Sequence, residues 1–198
     1  MSTHVIAPVW GKILTLVIAA LAVLSLVSVA LGPQPADVVR VAPSVVLITV
    51  ATWAIYWRPF VRLDDSGITV RNVLRTFTVP WGAVREVETR FAFTLVTESG
   101  RIVAWAAPAP GRLAAMRVAR DDLRHLPAGS HADGMARPGD SAGSDSGAAA
   151  YLARTELARR AELGIPAESA RVERHWHLGT IAAFVVFGGA AILATTLA

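Results

Sequence analysis

Cysteine is absent from this 198-residue chain, which excludes a disulfide framework, a thiolate metal site and a thiol nucleophile. A cytoplasmic location accords with that absence. Lysine is almost missing as well: of 19 basic residues only Lys12 is lysine, and the others are arginine. In a chain this rich in Ala, Val and Gly, such a bias follows the composition of a GC-rich genome. The formal charge of +4 is therefore no nucleic-acid signal, and no nucleic-acid partner is expected. Also lacking are the phosphate-binding pattern G-x-x-x-x-G-K-[ST], a G-x-G-x-x-G opening a helix, the zinc pattern H-E-x-x-H and the G-x-S-x-G elbow. No catalytic residue, metal ligand or cofactor is assigned. Asp64 and Asp65 lack the ligand spacing of a calcium loop and fit a turn instead.

Charge is scarce and unevenly placed. Only 17% of residues are Asp, Glu, Lys or Arg, against 54% hydrophobic, and the apolar excess sits in three blocks. Ile13 to Leu31 is almost continuously apolar, and a helix of its 19 residues rises about 28 Å, near the roughly 30 Å of a hydrocarbon core. Gly32-Pro33-Gln34-Pro35 ends it. Val41 to Trp57 is the second block, extendable to Val38 if Arg40 snorkels, with Trp53, Tyr56 and Trp57 at its end. Leu178 to Ala198 is the third, uncharged, with Trp176 at its entrance. A cleaved leader with Ser28-Val29-Ala30 as its site is the rival for the first block. Its apolar core is long for that, and a second apolar segment follows at once.

Arginines flank the blocks asymmetrically. Arg58 and Arg62 follow the second, and Arg171 and Arg174 precede the third, while the loop between the first two holds only Asp37 and Arg40. The positive-inside rule then puts the N-terminus and the polar middle of the chain inside, with the hairpin loop and Ala198 outside.

The middle of the chain changes period from helical to two. Asp64-Asp65-Ser66-Gly67 reads as a turn, and Ile68 to Val73 and Arg75 to Val79 alternate as half-buried strands. Phe91 to Thr97 and Arg101 to Ala106 flank a Glu98-Ser99-Gly100 hairpin loop. Arg112 to Leu126 has an apolar stripe of Leu113, Met116, Leu123 and Leu126 and is expected to cap the sheet as a helix. Residues 127–150, rich in Gly, Ser, Ala and Asp, read as a flexible linker. Tyr151 to Leu163 reads as a polar helix ending at Gly164, and Ala167 to Trp176 as helix running into the third block. Trp81 and Val84 are expected in the core. Arg62, Arg71 and Arg75, on neighbouring strands beside a membrane anchor, are the candidate anion or lipid-headgroup site.

The order from Val61 through the Asp64–Gly67 turn, the strand to Asn72, and Pro80-Trp81-Gly82-Ala83-Val84-Arg85-Glu86-Val87 resembles a known family. It is similar to the bacterial pleckstrin-homology-like (PH-like) domain of small actinobacterial membrane proteins of the low-molecular-weight-antigen type. The resemblance covers about residues 55 to 126 and implies a bent antiparallel sheet capped by a helix, two membrane helices ahead of it, and no enzyme activity. The expected fold is an α+β membrane protein: a two-helix hairpin in 1–57, a PH-like domain in 58–126, a linker in 127–150, a polar helical segment in 151–176 and a third membrane helix in 177–198. The expected function is a non-enzymatic binding or scaffold module at the cytoplasmic membrane face, with the bilayer, anionic headgroups or a protein as partner. The rival is an accessory subunit of a membrane complex whose helices carry the interaction.

Overall fold

The computed structural model describes residues 3–109, 144–165 and 171–196. The described residues divide into two compact units, one holding 3–7, 60–109, 144–165 and 171–175, the other 8–59 and 176–196. The cap expected at 112–126 and the linker up to 143 lie outside the described residues.

The first unit carries two sheets. Strands β1 (His4–Ile6), β2 (Phe60–Leu63), β3 (Gly67–Arg71), β4 (Arg75–Pro80) and β8 (Glu173–Trp176) form one in the order β1-β2-β3-β4-β8. Strands β5 (Val84–Glu88), β6 (Ala92–Thr97) and β7 (Gly100–Pro108) form the other. The pairs β1–β2, β2–β3, β3–β4, β5–β6 and β6–β7 are antiparallel. Alternation works as the sequence promised. Val61, Leu63, Ile68, Val70, Phe77 and Val79 turn to the core, and Phe93, Leu95, Ile102 and Ala104 meet them from the other sheet. Gly67 is required by packing: a Cβ there would stand 2.3 Å from the carbonyl oxygen of Val79.

A helix covers this core. Helix α3 (Asp145–Glu162) starts at Ser144, whose hydroxyl accepts from the amide of Gly147 at 3.0 Å, and stops before Gly164 at φ +62°. It inserts Ala149, Ala150 and Ala153 into the core. Residues 145–150, read from sequence as the end of the linker, are therefore its first turns. Alanine is the best helix former, and its small side chain packs where no large apolar residue is present to advertise burial. A second correction concerns the chain before the third apolar block. Glu173–Trp176 is a strand at the sheet edge, not a helix. Four exposed residues of mixed polarity carry no period, so edge pairing decides their conformation.

The second unit has three helices long and apolar enough to cross a membrane: Val9–Ala30, Asp37–Trp57 and Leu178–Thr196. Helix α1 (Val9–Ala30) is apolar all round, as a lipid-facing helix is. Helix α2 (Asp37–Thr52) holds Pro43 and passes into a π-helical turn, Trp53–Trp57, closed by the bond from the Arg58 amide to the Trp53 carbonyl. Helix α4 (Leu178–Thr196) packs on α2. Hydroxyls inside the helices turn back on their own backbone: Thr15 donates to Gly11, Thr49 to Val45 and Thr52 to Ile48, each at 2.8 Å. A Cβ on Gly11 would lie 2.5 Å from the Tyr56 carbonyl oxygen, so α1 and the π turn meet backbone to backbone. The Arg58 guanidinium lies 4.8 Å from the Trp53 ring centroid and donates to the Thr180 hydroxyl.

Candidate functional site

Antiparallel register decides which of the three candidate arginines meet. Phe60 is opposite Arg71, and Arg62 lies two residues on along β2, so Phe60, Arg62 and Arg71 share the outer face of their sheet. Both guanidinium carbons stand 5.8 Å from the Phe60 ring centroid. The ring is shared by two cations on a face that also carries Thr69, Thr76 and Thr78. Among the described residues, Arg71 Nε is the buried side-chain nitrogen left without a hydrogen-bond partner. Arg75 is not with them: it has the parity of Phe77, whose ring lies 5.6 Å from its guanidinium carbon, and so belongs to the opposite face.

Trp81 and Val84 are buried, at 4% and 8% exposure. The Trp81 indole donates to the Asp64 carbonyl at 2.9 Å, tying the 3-10 turn Trp81–Ala83 to the β2–β3 turn. In that turn the Asp64 carboxylate accepts from the Ser66 hydroxyl at 2.5 Å and from the amides of Ser66 and Gly67 at 3.0 and 3.2 Å. The Ser66 hydroxyl bond, ahead of these amides and Arg62, holds its pKa below the ordinary carboxylate value against the opposing effect of burial.

Two features escaped the sequence reading. Glu156 on α3 is buried, and its carboxylate accepts from Arg159 at 2.6 and 2.8 Å and from Arg160 at 2.7 Å. Led by the Arg159 hydrogen bond, these contacts overcome desolvation and lower its pKa to about 2. Arg160 also donates to the Asp65 carbonyl at 2.7 Å and lies 5.4 Å from the Trp81 ring, so one charged cluster pins the helix to the turn. The i,i+3 and i,i+4 spacing was visible in the sequence, but the burial of Glu156 was not. The other is Asn72. Its amide donates to the Val103 carbonyl and its oxygen accepts from the Trp105 amide, both at 2.8 Å. From Thr94↔Val103 to Ala92↔Pro108, β6 moves two residues while β7 moves five, and Asn72 satisfies backbone groups inside that irregularity.

The groups on the outer face around Phe60 are guanidinium, hydroxyl and aromatic. Among the described residues, no cluster of three or more His, Cys, Asp or Glu could hold a metal ion.

Residues 58–144 match a family model described as Bacterial PH domain. No curated protein and no solved structure matches the chain.

Proposed function

We propose that this bacterial PH-like domain protein is a membrane-anchored, non-enzymatic binding or scaffold module, with its domain on the cytoplasmic face. PH domains are typically interaction modules rather than catalysts, and the matched segment belongs to that class. The observation that carries the membrane reading is connectivity. Strand β1 runs through Ala7 and Pro8 into α1, the π turn runs through Arg58 and Pro59 into β2, and β8 runs through His177 into α4. Strands of one sheet lie on one side of a bilayer. With α1, α2 and α4 as spans, that sheet requires the hairpin loop and the end of α4 on the other side. The arginines beside these junctions favour the cytoplasm for the sheet.

Reporter fusions test this. Alkaline phosphatase inserted after Gln34, or fused after Ala198, is expected to be active, as an exported enzyme is. A cytoplasmic reporter fused at Ala198 is expected to be silent. The opposite pattern overturns the sidedness. Purification in mild detergent then separates roles: a stoichiometric soluble or membrane protein retained through the sheet face marks a scaffold, and loss on removing α4 alone marks a subunit held by its helices.

A further inference from the structure

We infer that the outer face of the sheet around Phe60, Arg62 and Arg71 is a docking site for an extended protein segment with acidic residues at alternate positions; this deepens the reading of the domain as a binding module and rests on it.

Register lays out the face. Val5, Arg62, Thr69 and Thr78 form one row across β1, β2, β3 and β4, and Phe60, Arg71 and Thr76 form the next. Arg62 and Arg71 are thus diagonal neighbours, about 7–8 Å apart by strand geometry. Alternate side chains of an extended chain leave one face at about 7 Å spacing. Two carboxylates two residues apart therefore meet the two guanidiniums one to one. Thr69 and Thr78 place hydroxyl-bearing side chains in the same row as Arg62, able to donate and accept.

Charge on this face is of one sign. None of the strands β1, β2, β3 and β4 contains Asp or Glu. Among the described residues, neither Arg62 nor Arg71 is ion-paired with a carboxylate, whereas Arg85 and Arg101 on the other sheet are paired with Glu98 and Glu88. Asp64, the acidic residue nearest Arg62 in sequence, already accepts from Ser66 and Gly67 within its turn. The Phe60 ring takes the place of a counterion as the support of both cations. A guanidinium held on a ring has lost part of its rotamer freedom before a partner arrives, so less ordering opposes binding. Arg71 Nε is buried without a hydrogen-bond partner, and a carboxylate is the acceptor that suits a guanidinium best.

The test uses the full chain in nanodiscs of purely zwitterionic lipid, so that no anionic lipid competes. Two fluorescent peptides of one composition are titrated, one alternating glutamate with threonine, the other carrying its glutamates in a single block. Each bears a benzoylphenylalanine for photocrosslinking. The alternating peptide is expected to bind at least about tenfold tighter than the block peptide, to weaken as salt is raised, and to crosslink within β2 and β3. Arg62→Gln and Arg71→Gln should each weaken it about tenfold, and Phe60→Leu by a smaller factor. Arg75→Gln, on the opposite face, and Arg85→Gln, on the other sheet, should change it little. Unchanged denaturation midpoints show that the variants are folded, and the crosslinked position in the unsubstituted chain locates the site without any variant. No affinity for either peptide, equal affinity for both, or an equal loss in Arg75→Gln overturns the inference. Displacement by glycerol phosphate at constant ionic strength, with free glutamate inert at the same concentration, assigns the face to a phosphate headgroup and overturns it too. None of these failures touches the scaffold reading, which stands or falls on the reporter fusions and on the protein retained in detergent.

Discussion

Glu156 stands furthest from what its residue type prefers: a carboxylate with 4% exposure, kept ionised by two arginines. Its pKa falls from 4.5 to about 2 on folding, so the unfolded chain binds a proton first. The stability it supplies is complete above pH 4.5 and is lost as pH falls toward 2. The whole effect is on the order of 3 kcal/mol. Glu156→Gln should flatten the loss of stability between pH 5 and pH 2, read from denaturant midpoints in detergent, while lowering stability at pH 7. An unchanged pH profile would place the acid sensitivity elsewhere. Gly67 gives a test of sterics alone. Gly67→Ala sets a methyl against the Val79 carbonyl and should cost about 2–3 kcal/mol, read from the same midpoints. Trp81→Ala should cost about 3–5 kcal/mol, through lost packing and an Asp64 carbonyl left without its indole donor. Stability kept with a ligand lost would make Trp81 a binding residue instead.

At the scale of elements, the helices beside Gly11 make the sharpest prediction. Gly11→Leu should force α1 away from the Tyr56 carbonyl, lowering the melting temperature in detergent with little change in the sheets. Elements with a strong period were legible. The three apolar blocks became three helices, and the alternation from Ile68 to Val79 became β3 and β4. The elements that escaped are those whose conformation is set by a neighbour. His4–Ile6 has three residues, too few for a pattern, and is a strand because β2 offers an edge. Glu173–Trp176 is a strand for the same kind of reason. Helix α3 buries alanine, serine and glycine, which in sequence look like linker. For the candidate site, residue types were readable and faces were not. Arg62 and Arg71 join across Phe60, but the tight turn from Asn72 to Arg75 restarts the alternation and sends Arg75 to the other face. Replacing His4–Ile6 by Gly-Ser-Gly should leave the helices intact and speed hydrogen exchange along β2.

At the scale of the whole molecule, the same sheet gathers strands from three separated stretches of chain. A leader cleaved after Ala30 would carry β1 away with α1, so the intact mass of the purified protein is expected to include His4–Ile6. That membership also has a consequence in time. Translation makes β1 first, and its partner β2 begins only at Phe60, 54 residues after Ile6. At roughly 5–20 residues per second this is a wait of about 3–11 s. During it β1 waits for the strand it pairs with, and when β2 emerges its edge is open to whichever strand arrives first. Slowing the ribosome before Phe60 should therefore leave folding unaffected, whereas trapping the nascent N-terminus with a bulky tag should leave β2 open to strands of neighbouring chains on the same polysome.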